Sequence, residues 1–294
     1  MLGANRYGKS GIRVVKLVRL PDRHDLKDLT VSIAFEGGFE VVHTAGDNSA
    51  VLPTDTMKNT VYALAKQHSL EHIEAFGLAL GGHFLETNPQ VSRVVVDVRE
   101  RMWERVEIGK NPAPSAFIGS RAEARTASVD YSRERVSMRS GLDDLLLLKS
   151  AQSGFSGFLR DRYTTLVETE DRILATALTA SWLYRESGGN FTRLWGEVRQ
   201  ALLDSFAAHD SRSVQHTLYA MGEAVLAQCA EVEEIRLTMP NKHHLPVDLS
   251  PFGLANENDV FVATEAPYGL IEATVTRNSS HGPKSEPGEQ NTGR

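Results

Sequence analysis

The chain predicts an α+β fold in which antiparallel strands carry a helix pair on one face, an arrangement that occurs twice. Three observations predict it. Stretches rich in Val, Ile and Leu alternate with the two-residue period of strands and come in pairs. Two stretches with apolar residues at helical spacing stand between the pairs. The order strands, two helices, strands then repeats, over residues 1–140 and again over 141–277, before a polar tail at 278–294. With 294 residues, 41% hydrophobic and 24% charged, the chain has room for two ordinary cores.

Taken in order, residues 12–20 are β-branched and partly alternating, which predicts a strand. Residues 28–45 alternate through Leu29, Val31, Ile33 and Phe35, turn at Gly37 and Gly38, and resume as strand at 39–43. A helix follows over 57–67. Thr54, Asp55 and Thr56 precede it, and their side-chain oxygens predict an N-cap; Asp55 also suits the positive end of the helix dipole. Ile73, Phe76, Leu80 and Phe84 share one face of a second helix over 70–86. Residues 91–108 predict a strand and 115–139 a strand pair. In the second half, 145–149 reads as a short buried strand, and a Gly- and Ser-rich connection at 150–157 leads into a polar segment. A strand over 174–186, helices over 191–208 and 211–230, and strands over 232–239, 260–263 and 269–277 complete the order. A sheet with helices on one face leaves its other face to be covered, which argues for barrel closure or oligomerisation.

Several function classes are excluded by what the chain lacks. A net charge of −6 offers no basic field for nucleic acid. No apolar run approaches the ~18 residues of a membrane span, and the N-terminus lacks a signal-peptide core. The one cysteine, Cys229, forms no internal disulfide and reads as the buried face of a helix, which fits a reducing compartment. The last four residues, Asn-Thr-Gly-Arg, are not a peroxisomal Ser-Lys-Leu address, so a cytoplasmic location is expected. Dinucleotide-binding, Walker, nucleophile-elbow and Cys-x-x-Cys motifs are all missing, so no nucleotide or flavin cofactor and no metal are expected.

Polar islands at the ends of elements are where chemistry can sit. Lys9 follows Tyr7 and Gly8; a lone lysine is usually solvated, and serves as a base only if desolvation or a nearby cation lowers its pKa from ~10.4. One threonine hydroxyl of the Thr54 loop can handle a proton if it points away from its helix. Phe155, followed at a distance by Arg172, suits a flat anionic ligand: the ring stacks while the guanidinium donates two hydrogen bonds. A core phenylalanine and a salt-bridged arginine are the plainer alternative. Asn241, His243 and His244 follow a strand; adjacent histidines on an extended chain face opposite sides, so His243 reads as a proton relay and His244 as a surface residue. Val214 and Gln215 open a helix and offer an amide contact or plain surface.

Together, Tyr7-Gly8-Lys9, Gly46 to Ser49 with Thr54-Asp55-Thr56 and Lys58 to Tyr62, Phe155 to Leu166, Asp171 to Thr176, and Pro240 to His243 resemble the urate oxidase family, in order from about residue 5 to 277. The segment near 91–120 matches loosely. The resemblance implies two tandem tunnelling-fold domains, antiparallel sheets that close barrels between subunits of a homotetramer. It implies oxidation of urate by O₂ and water to 5-hydroxyisourate and H₂O₂, without cofactor or metal. It places Lys9, Thr54 and Asp55 of one chain opposite Phe155, Arg172, Val214, Gln215, Asn241 and His243 of another. By the resemblance, Arg172, Gln215 and the Val214 backbone grip the purine anion, Phe155 stacks on it, and Thr54, Asp55 and Asn241 also contact the substrate. Lys9 and Thr54 handle protons with His243 extending the relay, and Thr54 and Asn241 hold O₂ or water. The rival readings are a metal-dependent purine or pterin hydrolase or lyase of the same fold, and a non-catalytic scaffold.

Overall fold

The computed structural model describes residues 1–186 and 188–277, with backbone alone for Ser120 and Arg121; the tail expected at 278–294 lies outside the described residues. The first half runs β1 (Tyr7–Arg19), β2 (His24–Gly37), α1 (Glu40–Ala45), α2 (Thr54–Gln67), α3 (Ile73–Thr87), β3 (Val91–Ile108) and β4 (Asn111–Ser132). The second runs β5 (Val136–Lys149), β6 (Leu174–Tyr184), α4 (Phe191–Ala208), α5 (Val214–Gln228), β7 (Val232–Asn241), β8 (His244–Pro246), β9 (Phe261–Ala263) and β10 (Gly269–Thr276). One antiparallel sheet takes eight strands in the order β1-β2-β3-β4-β5-β6-β7-β10, and β8 and β9 form a separate hairpin. Residue 140, where the sequence divides the chain, lies inside β5.

The two-residue period decides which face is core. Val94, Val96 and Val98 of β3 and Leu174, Leu178 and Trp182 of β6 are buried under α2 to α5. Burying each large apolar side chain contributes about 1.5–3 kcal/mol. The alternate residues form a polar face laced with ion pairs: Arg93 with Asp130 at 2.7 Å, Arg99 with Asp143, and Arg139 with Glu234. That face tolerates water, so the need for closure comes from the edges. Among the described residues β1 and β10 each pair on one side only, so a barrel would form on oligomerisation. On the core side, Glu74 of α3 and Arg125 of β4 meet at 2.7 Å, nearly inaccessible to solvent, with Ser140 of β5 donating to the carboxylate. The pair lies within the first half, and the Ser140 bond ties it to the second; removing one partner of such a buried pair costs about 3–5 kcal/mol. Among the described residues no helix is long and apolar enough to cross a membrane.

Three expectations are corrected. Residues 39–43 do not resume as strand: Phe39 is buried, and its neighbours wind into the short helix α1, which closes on Gly46 at φ 68°. The alternation there came from one anchoring aromatic ring rather than from a half-buried strand. The strand pair over 115–139 and the separate strand at 145–149 are two long strands, β4 and β5. β5 carries a register shift between Leu142 and Leu145, with Asp144 at φ 58°, which broke the apolar pattern without ending the strand. The expected side-chain N-cap of α2 is absent. Pro53 occupies the cap, and the Asp55 carboxylate instead takes Lys58 at 2.5 Å and Asn59 at 3.0 Å.

Candidate active site

A loop that the sequence marks only as polar builds most of the site. Residues 150–173 leave β5 and fold back beside the turn before α5. Gly154 N–H donates to Ser211 O at 2.8 Å, Ser211 N–H to Gln152 O at 2.9 Å, and Arg172 N–H to Ser153 O at 2.7 Å. Phe155 and Thr169 exchange two backbone bonds at 2.7 and 3.1 Å. This bracing presents Phe155 half-buried, stacked on Phe158 at 5.0 Å and 13°. The Arg172 guanidinium carbon lies 5.1 Å from the Phe155 ring centroid. Burial lowers the Arg172 pKa, yet an arginine stays charged in proteins. Its Nε is buried without a hydrogen-bond partner among the described residues.

The N-terminus of α5 faces the same space. Ser213 caps the helix by accepting from His216 N–H at 3.1 Å. Val214 buries its side chain while its N–H belongs to the first turn, where such groups have no intrahelical partner; Gln215 is exposed beside it. Asn241 ends β7, opposite Thr176 of β6 and Gly269 of β10. Beyond it, Lys242 N–H donates to Ala175 O and Thr264 N–H to His243 O, both at 2.9 Å, so the strand exit is held firmly.

A cavity of about 630 Å³ results, and Phe155, Arg172, Val214, Gln215, Asn241 and His243 all line it. The sequence missed apolar residues of the wall, among them Leu166, Phe261 and Ile271, which come from a loop and from β9 and β10 with no chemical signature. It also misplaced His244. That residue is half-buried in the cavity wall rather than at the surface, because the paired strands β8 and β9 contribute to that wall. Among the described residues, no group of three or more His, Cys, Asp or Glu side chains is placed to hold a metal ion.

Lys9, Thr54 and Asp55 are not in this cavity. Lys9 stands on the edge strand β1, just before a bulge between Lys9 and Ile12 that turns on Gly11 at φ 71°. A Cβ on Gly8 would lie 1.8 Å from Ile33 O, so only glycine lets β1 approach β2 there. Leu52 N–H donates to Tyr7 Oη at 3.0 Å and so ties the loop before Thr54 to the start of β1. The Asp55 carboxyl is held below the ordinary carboxylate range, first by its bond from Lys58 and that residue's charge, with Lys9 contributing at longer range. The three residues therefore share one neighbourhood. From β1 to β7 is six strand steps, roughly 29 Å along a sheet at ~4.8 Å per step. Within one chain the two groups do not meet.

An open antiparallel sheet with helices on one face and an aromatic-and-guanidinium cavity at its far edge defines a tunnelling-fold enzyme. The Uricase family model matches residues 5–130 and 138–272. The uricase of Arthrobacter globiformis is 44% identical over 280 residues, covering 95% of this chain and 91% of that one. That of Dictyostelium discoideum is 38% identical, covering 94% and 97%. The crystal structure of the Arthrobacter globiformis uricase superposes with a TM-score of 0.90, covering 97% of this chain and 98% of that one. The chain belongs to the uricase family.

Proposed function

We propose that the protein oxidises urate with O₂ and water to 5-hydroxyisourate and H₂O₂, using side chains from two copies of the chain and no cofactor. One observation carries the reading. Six of the nine expected site residues line a single cavity, while Lys9, Thr54 and Asp55 gather at the opposite edge of the same sheet. Both edges are open, so joining β1 of one copy to β10 of another brings the two groups together and closes the barrel. Two such barrels give a homotetramer.

The roles follow from the chemistry. O₂ reacts slowly with closed-shell molecules, but an electron-rich purine anion can give up electrons once a second proton is removed and the charge is held. Arg172 and Gln215 hold the planar anion by its edge, and the Val214 N–H adds a bond at the positive end of α5. Phe155 lies against the ring face. Each contact is worth about 1–3 kcal/mol, enough together to bind and orient the substrate. Lys9 and Thr54 from the neighbouring copy move the proton, and His243 extends the path to solvent. Asp55 and Thr54 also contact the substrate from the neighbouring copy, and Asn241 and Thr54 hold O₂ or water over the ring. The overall balance is urate, O₂ and one water giving 5-hydroxyisourate and one H₂O₂.

The test is an assay on purified protein dialysed against chelator. Urate absorbance and dissolved O₂ should fall together, one for one, with peroxide released in the same amount. No O₂ uptake with urate, or uptake only after a metal is added, rules the reading out.

A further inference from the structure

Thr176 stands directly opposite Asn241 in the β6–β7 ladder. The core-facing positions of β6 are Leu174, Leu178, Ala180 and Trp182, and Thr176 falls in step with them. Ile235, Leu237 and Met239 face the core from β7, and Asn241 is the next in their series. Both side chains therefore point to the helix-covered side, where the cavity lies. Directly opposed residues of an antiparallel pair have Cβ atoms about 4.5–5.5 Å apart, so a hydroxyl and an amide there are within hydrogen-bond reach after a side-chain rotation.

Thr176 is fully buried, 0% exposed, and its Oγ1 has no hydrogen-bond partner among the described residues. An unpartnered buried hydroxyl is costly. Valine fills the same volume without that cost and suits a strand better. Two other buried side-chain atoms at this end of the sheet are also unpartnered: Ser153 Oγ and Arg172 Nε. Ser153 and Arg172 are joined by a backbone bond of 2.7 Å, and Arg172 lies four residues before Thr176. Three unpartnered polar atoms thus lie at the end of the sheet that carries the cavity.

We propose that Thr176 is a positioning residue for Asn241. Resting on the reading of Asn241 as part of the urate and O₂ site, the proposal is that the Thr176 hydroxyl donates to the Asn241 side-chain oxygen when the cavity is filled. The amide is then fixed with its NH₂ group directed into the cavity. Thr176 touches neither substrate nor oxygen; it removes the freedom of the side chain that does.

Three variants test this in the full-length protein: Thr176→Val, Thr176→Ser and Asn241→Ala. Thr176→Val keeps the shape and loses the hydroxyl, and should lower kcat about tenfold or more, because a misplaced catalytic contact is costly in rate. KM for urate should stay within about twofold, since the grip at Arg172 and Gln215 is untouched. Its melting temperature should equal or exceed the parent's. Thr176→Ser restores the hydroxyl and should recover most of kcat. In the Asn241→Ala background, Thr176→Val should cause no further loss, because the pair acts as a unit. Parent-like turnover in Thr176→Val, failure of Thr176→Ser to recover, or an equal loss with and without Asn241 would each overturn the proposal. Parent-like turnover in Asn241→Ala would instead overturn the site reading on which it rests, a distinguishable result.

Discussion

At the β1 edge of the sheet, Lys9, Thr54 and Asp55 sit on regular elements: a bulged strand and the first turn of a helix. At the β7–β10 edge, a loop of more than twenty residues, a hairpin and a helix start surround a cavity of about 630 Å³. The first region carries charge, and none of Lys9, Thr54 and Asp55 lines that cavity. The second has space, an aromatic face and a cation. The contrast teaches how the labour is divided. A proton-handling group needs a rigid seat, and secondary structure supplies it cheaply. A shaped cavity needs concave backbone, which loops over a scaffold supply. One chain holds the two parts roughly 29 Å apart by strand spacing, so on the proposed reading their union falls to assembly.

The largest expected effect is kinetic and separates the two regions. Lys9→Met should cut kcat by about a hundredfold or more with KM little changed, because a group that acts only on the reacting proton contributes nothing to ground-state binding. Arg172→Ala should lower kcat/KM comparably while raising KM, since the grip is lost in both states. Steady-state kinetics with urate checks both. Small, equal effects on the two parameters would break the division.

A second comparison sets the two helix starts against each other. Ser213 caps α5 through its side chain, whereas α2 begins at Pro53 with no side-chain cap. Ser213→Ala should therefore cost about 1 kcal/mol of stability. Thr54→Val should leave the melting temperature almost unchanged while lowering turnover, because its hydroxyl caps nothing. Thermal unfolding beside activity measures both, and a large melting shift in Thr54→Val would show that its role is structural.

The smallest effect concerns pH, and it touches only the cavity region. His209 Nε2 and His216 Nδ1 are 3.1 Å apart across the turn between α4 and α5, the turn that delivers Val214 and Gln215. Burial, then the neighbouring His216 and Lys149, lower the His209 pKa below 6.5, with Asp210 opposing. The unfolded chain binds this proton more readily, so the contribution is present above about pH 6.5 and is lost as pH falls through the lower folded value. Melting temperature should thus drop on acidification below about 6.5, and His216→Asn should flatten that drop by removing the histidine contact. An unchanged slope in His216→Asn would exclude the pair as its source.

How much of this was legible beforehand depended on what each residue type can hide. Phe155, Arg172, Asn241 and His243 were visible because aromatic, guanidinium, amide and imidazole groups at element ends are chemically loaded wherever they fall. Their convergence was not, since it is set by backbone bonds such as Gly154 to Ser211 that any sequence can make. Leu166, Phe261 and Ile271 carry no signal that separates a cavity wall from core. His244 was misjudged because the strand argument holds only if the chain stays open, and the hairpin closes it. The strands whose alternate residues are apolar read clearly. Misreading began where a bulge shifted the period, at Leu142 to Leu145, or where one buried ring imitated it, at Phe39.

The central claim, that each site is assembled from opposite edges of two chains, is tested most directly by mixing inactive partners. Lys9→Met and Arg172→Ala chains should be co-expressed in equal amounts and the whole mixed population purified together. Random assembly would place an intact cavity against an intact Lys9 in about a quarter of the sites, and urate oxidation should recover to about that fraction of the parent. Hybrids no more active than the two variants alone would contradict the account.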